Sequence, residues 1–197
     1  MSKAALDNVT QALEGNNELL MKKKMIALGK HYTVMDKDQR PLCSVHLDWG
    51  QNMGGAMLSS IGGKWLGRRS QYLYEVKDSN DQLALEIRKG VGSFRSQFTI
   101  VEPEENKNIG VISLKRSLIG GMRAQWLDPS SSQVLMHTKG NVIRRKYVIL
   151  DSQNNEIAKV RHKIMAIRDV WQIYLNAQSS HLNAMIFATI LDFEKEM

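Results

Sequence analysis

Five short segments share one chemical design. KKKMIALGK (22–30), RKGVGSFR (88–95), KRSLIGGMR (115–123), KGNVIRRK (139–146) and RHKIMAIR (161–168) each set Lys and Arg around apolar residues. With a glycine-rich stretch at 50–70 they hold twenty of the twenty-seven Lys and Arg residues, and Asp48 is nearly the only acid among them. Cations at that density capture polyanions, more strongly at low salt. The apolar residues between the charges, such as Val91, Phe94, Leu118, Ile119, Val142 and Ile143, suit a lipid interface. A single-strand nucleic-acid binder would instead offer aromatics for stacking. The same residues could equally fold inward and plug one end of the fold.

Covalent chemistry has little to work with. His31, His46, His137, His162 and His181 make no HxH or HExxH spacing. Paired carboxylates occur only in turn-forming stretches, and neither GVGSF nor SIGG is followed by the GK[ST] of a phosphate loop. The single cysteine, Cys43, excludes an internal disulfide and a cysteine zinc site, and it fits a reducing compartment. No secretory leader and no run of eighteen apolar residues is visible. The expectation is a non-enzymatic protein without metal or cofactor, cytoplasmic and at most peripheral to a membrane. Its formal charge of +7 calls for an anionic partner, either a phospholipid surface or a nucleic acid.

The elements that place these clusters are written as a repeat. YTVMDKDQRPLCSV (32–45) returns as YEVKDSNDQLALEI (74–87) and YVILDSQNNEIAKV (147–160), and more loosely at 98–114 and 124–138. Each unit reads strand, acidic turn, strand. Twelve strands are expected near 18–25, 31–36, 41–47, 71–77, 83–88, 95–101, 109–115, 122–127, 133–138, 143–150, 156–162 and 168–175. A hairpin-linked run leaves exposed edges unless it closes, so the predicted fold is mainly β, a closed twelve-stranded antiparallel barrel. In such a meander the acidic turns at Asp36, Asp78, Glu102, Asp128 and Asp151 gather at one mouth and the basic segments at the other.

Three further segments stand outside the repeat. Residues 1–17 form a leader in which Leu6, Val9 and Leu13 share a helical face. Residues 18–197 form the single domain. Within it, the insert at 50–70 spaces Met53, Met57, Ile61 and Trp65 by four. It reads as a short helix, either a lid on the barrel or an interfacial contact made by Trp65, Lys64, Arg68 and Arg69. After Ser179 and Ser180 comes HLNAMIFATILDFEKEM, with only Asn183 and Thr189 polar between Leu182 and Leu191. Ten helical residues span about 15 Å, half a bilayer core. An apolar helix at 180–192 is therefore expected inside the barrel, which is too wide for its own side chains to fill.

This layout resembles the tubby-like superfamily, whose branches include tubby proteins, phospholipid scramblases and LURP-one-related proteins. RHKIMAIRDVWQIYL looks like the strand pair before the final helix of LURP-one-related proteins. HLNAMIFATILDF looks like the final helix of scramblases. EIRKGVGSFRSQFTIVE looks like the tubby stretch with the phosphoinositide-binding basic pair. The resemblance covers about residues 18–192 and implies lipid binding. Arg88 matches the second basic residue of the tubby pair, but Glu86 stands at the first and puts a carboxylate beside the phosphate position. Asp169 is the only carboxylate where scramblases carry an acidic calcium segment, too few for that ion.

The expected lipid-phosphate contacts are Arg88, Lys89, Arg95, Lys115, Arg116, Arg123, Arg144, Arg145, Lys146, Arg161, Lys163 and Arg168. Lipid translocation and a nucleic-acid or protein adaptor are the alternatives.

Overall fold

Tyr74 and Val76 are buried while Glu75 and Lys77 beside them reach solvent. That two-residue alternation organises the computed structural model, which describes residues 2–26, 29–47, 72–90, 95–116, 122–141, 146–165, 168–176 and 180–196. Helix α1 is Ser2–Leu13. The strands are β1 Glu18–Ile26, β2 Gly29–Met35, β3 Pro41–Leu47, β4 Tyr72–Asp78, β5 Leu83–Lys89 and β6 Arg95–Glu102. They continue as β7 Lys107–Arg116, β8 Met122–Leu127, β9 Val134–Asn141, β10 Lys146–Asp151, β11 Glu156–Met165 and β12 Arg168–Leu175. Helix α2 is His181–Glu196. Every strand pairs antiparallel with its sequence neighbours, and β1 pairs with β12, so the barrel closes. The sequence pattern ends the eleventh strand at 162; the strand runs three residues further, still paired with β12.

Helix α2 lies inside. Leu182 and every residue from Ala184 to Asp192 are buried. Its contacts come from opposite walls: Thr189 Oγ1 donates to Met21 Sδ on β1 at 3.2 Å, while the Phe187 ring lies 6.4 Å from Trp126 on β8. Ser180 caps the N-terminus, accepting the Ala184 N–H on its carbonyl at 3.1 Å and the Asn183 N–H on its hydroxyl at 3.4 Å.

One mouth is built from a repeated turn. Asp78 and Asp151 end their strands and Asp36 directly follows β2; each accepts the backbone N–H four residues on and is followed at the third residue by a left-handed Gln39, Asp81 or Asn154. The acidic residues therefore satisfy turn donors. Helix α1 packs over this mouth. It buries Ala5, Val9 and Leu13, with Leu6 only partly covered, and touches α2. Lys3 N–H donates to Glu104 Oε2 at 3.0 Å and Asn8 Nδ2 to Asp78 Oδ2 at 3.1 Å.

Candidate anion-binding face

The basic mouth lies at the other strand ends. On the outer wall, the register sets Arg95 opposite Lys115 and Lys115 opposite Arg123. The β8–β9 register, Gln125 with His137 and Trp126 with Met136, puts Lys139 next in that line. Beside it, Lys146 stands opposite Arg161. Lys115, Arg123, Lys139, Lys146 and Arg161 are all exposed, and none forms an ion pair with another described residue. Like charges directly opposite on neighbouring strands destabilise a sheet, so this line costs stability unless an anion sits over it.

The same wall opens. β8 and β9 are paired at Gln125–His137 but not beyond, among the described residues. The Ala124 N–H donates instead to Thr138 Oγ1 at 3.0 Å. β9 stays with β10 as far as Asn141 paired with Lys146, and Gly140 takes φ +115°. That conformation is open to glycine. The gap is a cleft of about 440 Å³ lined by Lys115, Arg123, Gln125, His137, Thr138 and Lys139, among others. An adjoining outer-wall hollow brings Val148 and Leu150 beside Lys146 and the Lys159–Glu156 ion pair. Leu135 and Tyr174 are exposed nearby at 40% and 36%, and Arg161 lies over the Tyr174 ring.

On the opposite wall, carboxylates answer most of the charge. Lys24, His31, His46, Glu75 and Glu86 form one cross-strand line. Glu75 takes His46 at 3.0 Å and Lys77 at 3.2 Å, and Glu86 takes Arg88 at 2.6 Å. Partial burial, then the neighbouring His46 and Lys24, lower the pKa of His31, whose ring stacks on His46. The positive mouth is thus lopsided: carboxylates answer His46, Lys77 and Arg88 on β3–β5, whereas Lys115, Arg123, Lys139, Lys146 and Arg161, with Lys24 on β1, form no ion pair among the described residues.

Sequence reasoning places its contacts unevenly. Lys115, Arg123, Lys146 and Arg161 come together on the open wall. Arg88 faces outward but is bound to Glu86, and its Nη1 reaches Asn106 at 3.2 Å. Strand alternation turns Lys89 the other way: it is buried, 5.8 Å above the Phe98 ring. Arg95, Arg116, Lys163 and Arg168 occupy strand ends at this mouth. Arg144, Arg145 and the insert with Lys64, Trp65, Arg68 and Arg69 lie outside the described residues, as do most apolar residues of the basic segments. Lys139 is the contact that the sequence reading misses; its parity with the outward His137 is the signal. Among the described residues no group of three or more His, Cys, Asp or Glu could hold a metal, and no helix is long and apolar enough to cross a membrane.

Comparisons with known proteins agree with this architecture. The profile of the LURP-one-related family matches residues 13–192. An X-ray structure of an Arabidopsis thaliana protein superposes with a TM-score of 0.56 at 12% identity, covering 94% of this chain and 97% of that one, a likeness of fold. No curated protein matches. Barrel, enclosed helix and family profile coincide over almost the whole sequence, and the chain belongs to the LURP-one-related family of the tubby-like superfamily.

Proposed function

We propose that this protein binds anionic phospholipid surfaces through its β7–β11 wall and makes or breaks no covalent bond. The observation that carries this reading is the line Lys115, Arg123, Lys139 with Lys146 and Arg161 beside it, exposed and without an ion pair among the described residues. Each cation held near an anionic leaflet contributes about 1 kcal/mol, so five together support measurable, salt-sensitive binding. Exposed Leu135 on β9 and Tyr174 on the adjoining β12 add apolar surface that an interface accepts. The mixture of cations and aliphatic side chains favours lipid over single-stranded nucleic acid, which stacks on aromatics. The enclosed position of α2 argues against lipid translocation along that helix, because no acyl chain can reach Ile186 or Phe187 past the strands.

Co-sedimentation with phosphatidylcholine vesicles, with and without phosphatidylserine, tests the proposal. Binding only to the anionic vesicles, weakening as salt rises, is the expected result. Equal binding to both kinds, or to neither, removes it.

A further inference from the structure

A flat basic wall would attract any anionic surface equally. This wall is not flat, and its opening is where the charge is densest. We propose that the cleft between the parted ends of β8 and β9 is a pocket for one phosphomonoester group, held by Lys115, Arg123 and Lys139. The inference rests on the reading of this wall as a phospholipid-binding face and names the chemical group that the face selects.

Three observations carry it. Lys115 and Arg123 stand directly opposite one another on β7 and β8, Lys139 follows on β9, and all three line the one cleft. Their mutual repulsion is relieved best by a ligand with two negative charges on one centre, which a phosphomonoester supplies and a phosphodiester does not. Donors besides the charges are available. Gln125 and His137 line the same opening, and the Arg123 guanidinium can grip two phosphate oxygens at once. Finally, the site is built into the backbone. Gly140, in the left-handed region, pairs with Tyr147 on β10 rather than with β8, and an added Cβ there would stand 3.2 Å from the Tyr147 Cα. The opening is therefore present before any ligand arrives.

A phosphomonoester reaches the cleft either as a lipid headgroup or on a soluble molecule, and the experiment separates the two. Vesicles of phosphatidic acid and of phosphatidylserine are compared at matched surface charge. Three proteins are used: wild type, the cleft variant K115Q/R123Q/K139Q, and the control variant K146Q/K159Q/R161Q, which loses the same charge outside the cleft. Thermal melts establish that all three are folded. In parallel, amide resonances of wild type and cleft variant are followed while inorganic phosphate replaces chloride at constant ionic strength.

The expected result is a preference of about tenfold for phosphatidic acid. The cleft variant loses it, the control variant keeps it with weaker binding overall, and phosphate shifts the Ala124 and Thr138 amides of the wild type only. Equal binding to both lipids without those shifts, or equal loss of preference in both variants, overturns the pocket and leaves general anionic binding standing. Absence of vesicle binding with the wild-type shifts retained assigns the pocket to a soluble phosphate ester and ends the membrane reading. Absence of both ends both. Displacement of phosphatidic acid vesicles by random duplex DNA at equal phosphate concentration also overturns the pocket, since it means that diesters serve as well.

Discussion

The Tyr32 hydroxyl donates to Asp192 Oδ2 at 2.5 Å, joining the barrel wall to the last buried turn of the central helix. Lys23, directly opposite Tyr32 in the register, places its Nζ 3.7 Å from the same oxygen. Both side chains of that ion pair are almost fully buried. An apolar rod in an apolar tube can slide by a turn and still bury similar area. One carboxylate with two fixed partners sets its depth and rotation. A buried pair of this kind contributes less to stability than to the choice of one arrangement, because desolvation offsets most of the attraction.

Removing one member is therefore costly while removing both charges is not. Asp192→Ala leaves the Lys23 ammonium buried without its carboxylate, and we expect a loss of about 3–5 kcal/mol in urea unfolding. Lys23→Met combined with Asp192→Leu should recover most of that loss. A double variant as unstable as the single one would mean that the pair does not act as a unit.

Alkaline pH should unfold the protein through two buried acids. Burial first, and the Asp192 charge second, push the Tyr147 phenol well above its usual value. Burial pushes the Cys43 thiol from 9.0 up to about 12. Both are protonated in the fold where the unfolded chain has already lost its protons. Their stabilisation is full below the unfolded values and is lost as pH rises through the folded ones. Melting temperature should fall from about pH 9 upward, and less steeply in Cys43→Val. The Tyr147 hydroxyl is also buried without a hydrogen-bond partner. Tyr147→Phe should thus leave stability at neutral pH unchanged or raise it by about 1 kcal/mol.

Acid acts at the other mouth. Hydrogen bonds from the Ser130 side chain, then from Ser131, hold the Asp128 carboxyl down at about 2. The Arg40 N–H lowers Asp36 and the Asn155 side chain lowers Asp151. For Asp78, burial opposes ionisation, but hydrogen bonds from Asn8, Gln82 and Asn80 outweigh it. Depressed carboxyl values stabilise the fold above the unfolded value and lose that contribution as pH falls through the folded one. The acid loss should lie between about pH 4 and pH 2, and Asp128→Asn should flatten it. An acid melt with no dependence on Asp128 contradicts this account.

Much of this was legible in the chain because strand alternation and the Asp-led turn repeat with it. Tyr74, Val76 and Ile87 face inward as their spacing implies, and the all-apolar stretch after Ser180 is the enclosed helix. The pairing of Glu86 with Arg88 and the inward turn of Lys89 were also written there, as same-face and opposite-face neighbours on β5. Two features were not. The parting of β8 from β9 is accompanied by a left-handed Gly140 and by the Ala124–Thr138 hydrogen bond, neither of which any periodicity encodes. The seating of α1 on the acidic mouth depends on Ala5, a residue too small to mark a helix face by hydropathy.

Gly110 on β7 exists to admit Trp126. A Cβ at that position would overlap the indole ring of its neighbour on β8, which in turn packs against Phe187 of the central helix. Gly110→Ala should force the indole outward and cost about 1–3 kcal/mol. A red shift in tryptophan emission should accompany the lower melting temperature. An unshifted spectrum with unchanged stability means that the ring has room to move.

Glu86 offers a test of the wall where carboxylates answer most of the charge. Its carboxylate holds the Arg88 Nη2 at 2.6 Å and Nε at 2.8 Å, so Arg88 is occupied within the protein. Glu86→Gln removes one negative charge and frees one guanidinium for an outside anion. At about 1 kcal/mol per surface cation, affinity for phosphatidylserine vesicles should rise about fivefold, and the gain should vanish at high salt. Arg88→Gln in the wild-type background should change affinity little, because its charge is already answered by Glu86. If Arg88→Gln alone abolishes vesicle binding, the binding face lies on β5 and the assignment to β7–β11 fails.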